Sequence, residues 1–277
     1  MGLFDAAEAA LAGLAVRVAA LEGGTVEPPV EPPPVTYTPS GEVRITSGAA
    51  LSTLSWTGLD VGVWGEGSVG ASISDCRADG CRFGIKIGSG PTTRGLSIAR
   101  YISTDTRIPL FLADTEDATI TDLDLAGRVG TNGDHCIYME RGNKRLTGRN
   151  WNLRHGADYC LHFYDGTFSG TYTSEDIDLE HITLDATGGG HYPLCIIGYR
   201  RVTIRDLTMI GTADGPCIML KDCQDVLIED FAAQGGYSLV YSHGGVSGVT
   251  IRNGSYPGTK PLISGVTSGV TFEGVTR

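Results

Sequence analysis

The chain has 277 residues, of which 41% are hydrophobic and 19% charged, with 40 glycines. That is enough apolar material for a core, argues against disorder over most of the length, and suits many short strands and turns better than a helical bundle. A net charge of −11 with no Lys/Arg cluster argues against nucleic acid and anionic membrane surfaces as partners, because phosphate neutralisation supplies most nucleic-acid affinity.

Residues 1–24 read as a helix. Phe4, Ala7, Leu11, Leu14, Val18 and Leu21 are spaced 3, 4, 3, 4 and 3 apart, an a/d heptad pattern suited to a coiled coil. Asp5 and Glu8 favour the positive end of the helix dipole, and Gly23 and Gly24 end the element. A lone helix this short is marginal in water, so its stripe must pack on something. Copies of itself and a groove on another protein are both open, giving either oligomerisation or an anchor. The acids and the helical period argue against a signal peptide, and no apolar run reaches the ~18 residues of a membrane span. The expectation is a protein made in the cytoplasm, not exported by the usual route and not inserted into a membrane.

Residues 25–40 form a proline-rich linker, a semi-rigid polyproline spacer. Residues 41–277 then carry an internal repeat, Φ-x-Φ-x-x-Φ with Φ apolar. Its middle position steps through Ile73, Ile98, Ile120, Gly148, Leu179, Ile204, Ile228, Ile251 and Phe272. The intervals are 25, 22, 28, 31, 25, 24, 23 and 21, and a weaker earlier copy centres on Trp56. Just before the third Φ stands a short polar residue in Asp75, Asp122, Asn150, Asp206, Asp230 and Asn253, a type that tolerates the left-handed backbone of a tight corner.

A second short apolar run lies between copies, as in Gly84–Ile87, Pro109–Leu112, Cys136–Met139, Cys160–Phe163 and Pro193–Ile196. Each repeat thus holds at least two strands. The period near 25 is too short for propeller blades, and leucine-rich and hexapeptide patterns are absent. The architecture expected is an all-β, right-handed parallel β-helix whose coils rise about 4.8 Å each. The two long intervals put extra residues at 127–135 and 164–176, where solenoids tend to carry function. The last repeat closes at Val275 without a cap, so another chain is expected to shield that edge. The seven cysteines are scattered inside apolar runs, which suits reduced thiols used as small hydrophobes; no metal site or cofactor is expected.

The repeated Φ-T-I-x-D/N-Φ motif resembles the pectate-lyase-like β-helix superfamily. Joined to an N-terminal heptad helix and a proline-rich spacer, it is similar to phage tail spikes and minor tail proteins of actinobacterial type. The resemblance implies a homotrimer at the virion tail tip, held through its N-terminal helix to other tail or baseplate proteins and contacting a host surface glycan or envelope component. Some members of that group are glycan hydrolases or lyases, so depolymerase activity is the alternative.

The residues that could bear such chemistry crowd into 134–165. Glycosidases use two carboxyl groups about 5–9.5 Å apart, and Asp134, Glu140, Asp158 and Asp165 are the candidates. If the second runs stack in register, Tyr138 and His162 point outward on adjacent coils beside Glu140 and Tyr164. With His135, these aromatic and polar side chains suit sugar stacking and hydroxyl bonding. His155 lies in the same stretch. Catalysis, glycan binding without turnover, and a mainly structural tail part all remain open on the residues alone.

Overall fold

In the computed structural model the described residues are 35–129, 133–189, 192–257 and 260–277. The chain divides into two units, Met1–Val35 and Thr36–Arg277. The heptad positions Phe4, Ala7, Leu11, Leu14, Val18 and Leu21, and residues 25–34 of the linker, lie outside the described residues.

Thr36–Arg277 is a parallel β-solenoid. Its long-strand sheet runs in chain order through Leu54–Thr57, Ser72–Asp79, Ser97–Thr106, Thr119–Gly127, Lys144–Arg154, Ser174–Asp185, Tyr199–Ile210, Gln224–Gln234, Val249–Ser255 and Val270–Thr276. Its short-strand sheet runs through Val43–Ile45, Val61–Gly65, Phe83–Ile87, Ile108–Leu112, His135–Met139, Tyr159–Tyr164, Tyr192–Ile197, Ile218–Lys221, Val240–His243 and Ile263–Gly265. Each circuit adds one strand to each sheet, and pairing along this path is parallel to the coils before and after. Pairing already begins at Thr38–Pro39, against Leu54–Ser55.

The repeat explains the register. Ile73 pairs with Ile98, Ile98 with Ile120, Ile120 with Gly148 and Gly148 with Leu179; Leu179, Ile204, Ile228, Ile251 and Phe272 continue the line. A one-residue slip would turn every one of these side chains to the other face. All are buried except Phe272 in the final coil, which is partly covered. Each buried Ile or Leu contributes about 1.5–3 kcal/mol, and the contribution depends on the coils above and below. The copy at Trp56 is the exception, since Trp56 pairs with Ala78 and it is Leu51 that lies beside Ile73. Its spacing matches the motif, but the partner of Ile73 lies 22 residues back, at Leu51, which leaves Trp56 outside the line.

The corners form a row of their own. Asp75, Arg100, Asp122, Asn150, His181, Asp206, Asp230 and Asn253 all have φ between 49° and 60°, the left-handed conformation expected from the short polar residues. Arg100 and His181 hold it as well, each bonded to an acidic neighbour in the row: Arg100 to Asp75 at 2.6 and 2.7 Å, His181 to Asp206 at 2.5 Å. A second row lies at or just before the start of the same strands: Gly70, Gly95, Asp117, Arg145, Asp176, Arg201, Asp225 and Gly248, with φ of 52–66°. These left-handed residues thus bend the chain at the same two places in successive coils. The seven cysteines are buried and form no disulfide. Among the described residues no helix is long and apolar enough to cross a membrane.

Candidate functional site

The short strands place the site. In Ile85-Lys86-Ile87, Leu110-Phe111-Leu112, Ile137-Tyr138-Met139 and Leu161-His162-Phe163, the flanking residues enter the core, so period-two alternation turns the middle one outward. In-register pairing stacks these middle residues into one row: Arg44, Trp64, Lys86, Phe111, Tyr138, His162, Cys195, Met219 and Tyr241. Where these strands begin, a second row aligns His135, Tyr159 and Tyr192.

The two rows shingle into a continuous aromatic surface. Phe83 meets Phe111 edge-on at 5.9 Å between centroids, and Phe111 meets Tyr138 likewise at 5.4 Å. Tyr138 stacks on His162 at 5.1 Å, His162 lies 4.3 Å from Tyr159, and Tyr159 lies 5.3 Å from Tyr192. Tyr164 flanks His162 at 5.4 Å and is the most exposed ring of the group, at 36%. Overlap rather than interior position buries the two imidazoles, His135 and His162, which are only 5% and 7% exposed.

His162 Nδ1 and His135 Nε2 lie 3.4 Å apart, while His135 Nδ1 and His162 Nε2 are buried without a partner. Burial pushes His135 down to about 4, against the pull of the Asp134 carboxylate. Burial, and then repulsion from His135, pushes His162 down to about 2. Both imidazoles are therefore neutral near pH 7, each offering one N–H and one lone pair. Burial raises the Tyr138 hydroxyl well above its usual range, and the Glu140 charge adds to that.

The four carboxylates occupy different places. Asp134 is fully buried, with Arg107 Nε donating to it at 2.8 Å. Asp158 lies on the next coil, its backbone N–H donating to the Asp134 carbonyl at 2.9 Å, so these two are neighbours. Glu140 stands six residues further along the strand direction, roughly 20 Å from them at about 3.3 Å per residue. Asp165 is 1% exposed and accepts bonds from the Thr167 N–H at 3.1 Å, the Thr167 hydroxyl at 2.7 Å and the Thr173 hydroxyl. It fastens the loop that follows Tyr164, in which Phe168 and Tyr172 pair at 4.8 Å. His155 sits at a left-handed corner, its Nδ1 2.7 Å from the Thr187 carbonyl.

The structure thus brings His135, Tyr138, His162 and Tyr164 together and separates Glu140 from Asp134 and Asp158. Sequence reasoning missed Trp64, Lys86, Phe83, Phe111, Tyr159 and Tyr192. Applying the outward-position rule to every second run, instead of to the histidine-rich stretch alone, would have found Lys86 and Phe111. An apolar ring face edged with neutral imidazole and phenol groups can stack a pyranose and bond its hydroxyls. Among the described residues no group of three or more His, Cys, Asp or Glu is placed to hold a metal ion.

These features define a class, the parallel β-solenoids, here with one ring-lined outer face. By sequence, no protein family and no curated protein matches the chain. Among solved structures it is similar to ORF18 of Geobacillus virus E2, with a TM-score of 0.59 and 12% identity over 86% of this chain. It is also similar to the polygalacturonase from Erwinia carotovora ssp. carotovora, with a TM-score of 0.56 and 13% identity over 87%. The chain spans 53% of the viral protein and 83% of the polygalacturonase. At these identities the likeness is one of fold.

Proposed function

We propose that the chain is a virion structural protein, a tail spike or minor tail protein, whose solenoid attaches to a host-surface glycan. The carrying observation is the aromatic surface on the short-strand sheet, in which Tyr138, His162, Tyr164 and His135 are the ligand-binding side chains. A solenoid needs no rings on its outside to stand, so their concentration on one face calls for a partner with ring faces of its own. The fold likeness to a viral protein supports the setting. In this reading the solenoid is right-handed, the hand that parallel crossovers overwhelmingly take. The N-terminal heptad helix joins the chain into a homotrimer and docks it on other tail or baseplate proteins at the tail tip.

Turnover of the glycan is the second reading, favoured by the adjacency of Asp134 and Asp158 on neighbouring coils. One experiment addresses both. The full chain is incubated with purified cell-surface glycan, and bound glycan and new reducing or unsaturated ends are measured. Attachment requires retention that Tyr164→Ala and Tyr138→Ala each weaken, without new ends. New ends that disappear in Asp158→Asn would establish a depolymerase, and no retention by the unaltered chain would refute the attachment reading.

A further inference from the structure

The aromatic row does not stop at Phe111. Its earlier end is Arg44, Trp64 and Lys86, three consecutive coils in register, so that two cations bracket one indole. The Arg44 guanidinium lies 5.0 Å from the Trp64 ring, and the Lys86 ammonium lies 5.3 Å from Trp64, 5.0 Å from Phe83 and 5.8 Å from Phe111. On the long-strand sheet, by contrast, arginines are spent on carboxylates: Arg77 on Asp79, Arg100 on Asp75, Arg145 on Asp117, Arg201 on Asp176 and Arg252 on Glu229. Among the described residues no carboxylate lies within ion-pairing distance of Arg44 or Lys86. Held together by one indole, the two cations present a local positive site on a chain of net charge −11.

Beside Arg44 is a cleft of about 300 Å³ lined by Thr46, Ser47, Glu66 and Ser68. The Ser68 hydroxyl is 2% exposed and has no partner. Hydroxyls next to an aromatic plane and a guanidinium fork are the groups that hold a sugar carrying a carboxylate or a phosphate.

We infer that this corner is a further subsite of the glycan surface, with a sugar stacked on Trp64 and its anionic substituent between Arg44 and Lys86. The glycan recognised is therefore acidic, and it lies along the stack of coils from this corner toward Tyr138 and His162. The inference rests on the attachment reading and names the ligand class for it.

The test titrates the full chain with dextran, polygalacturonate and poly(glycerol phosphate), at low and high salt. At least one acidic polymer should bind about tenfold or more tighter than dextran, a preference that added salt reduces. Whether carboxylate or phosphate is read is decided by which of the two binds. The double variant Arg44→Gln, Lys86→Gln should lose the preference with its melting temperature kept, while Arg44→Lys, Lys86→Arg retains it. Equal affinity for all three polymers, no binding of any, or a preference that survives the double glutamine variant would overturn the inference. Attachment itself is judged separately, by the Tyr138 and Tyr164 variants.

Discussion

Gly148 occupies an interior position where the other repeats carry Ile, Leu or Phe, because the indole of Trp151 folds into that space. A Cβ at Gly148 would stand 2.3 Å from Trp151 Cζ2 and 2.6 Å from Leu179 Cδ2, and Trp151 is tied in place by its Nε1–H bond to the Ile120 carbonyl at 3.1 Å. Gly148→Ala should therefore cost about 1–3 kcal/mol and lower the melting temperature by several degrees, and adding Trp151→Leu should recover part of the loss. A second residue-level consequence concerns acid. An unfolded histidine takes its proton near 6.5, whereas folded His135 resists it down to about 4, with Asp134, Glu140 and Asp158 the nearby carboxyl groups. The unfolded chain binds more protons in that window. The stability these rings confer is thus full above pH 6.5 and is lost as the pH falls toward 4, by a few kcal/mol in order of magnitude. Urea midpoints measured at pH 7 and pH 4.5 should differ by less in His135→Asn, His162→Asn than in the unaltered chain.

At the scale of the element, the solenoid depends on two rows of left-handed corners. Asp230 stands in one of them with φ of 55°. Asp230→Ala keeps the β-carbon that crowds the following carbonyl but removes the short polar group that makes this backbone tolerable, and should cost about 1 kcal/mol, while Asp230→Gly, which removes the β-carbon as well, should fall within about 0.5 kcal/mol of the original. Thermal unfolding of the two variants separates backbone strain from loss of charge. The Asp/Asn corner could be read in the sequence because these residues accept that backbone by themselves. The matching positions Arg100, His181, Arg145 and Arg201 could not. Arginine has no local preference for the conformation, and what places it there is a neighbouring coil, through Asp75, Asp117 or Asp176. Aligned apolar residues revealed the core for the same reason that they form it, since the repeat returns them to one interior line. The outer rings were harder to read: Lys86 and Phe111 sit inside short runs that scan as uniformly apolar, and only pairing register separates the inward from the outward members.

Over the whole molecule, the two faces of the solenoid differ in kind. Outside the long-strand sheet runs a row of alternating charge, Arg149, Glu180, Arg205, Glu229, Arg252 and Glu273, in register from coil to coil. Such exposed pairs add little stability but satisfy one another and keep the face wet. Outside the short-strand sheet the rings pack on one another and, at the earlier end, against Arg44 and Lys86. That asymmetry is the physical basis for assigning recognition to one side. The most direct test compares two single substitutions, each removing an outward side chain, by equilibrium binding to purified cell-surface glycan. Tyr164→Ala, on the ringed face, should weaken binding about tenfold with the melting temperature unchanged, and Thr250→Ala, on the charged face, should leave binding as it was. Equal effects of the two, or none from Tyr164→Ala, would contradict the account.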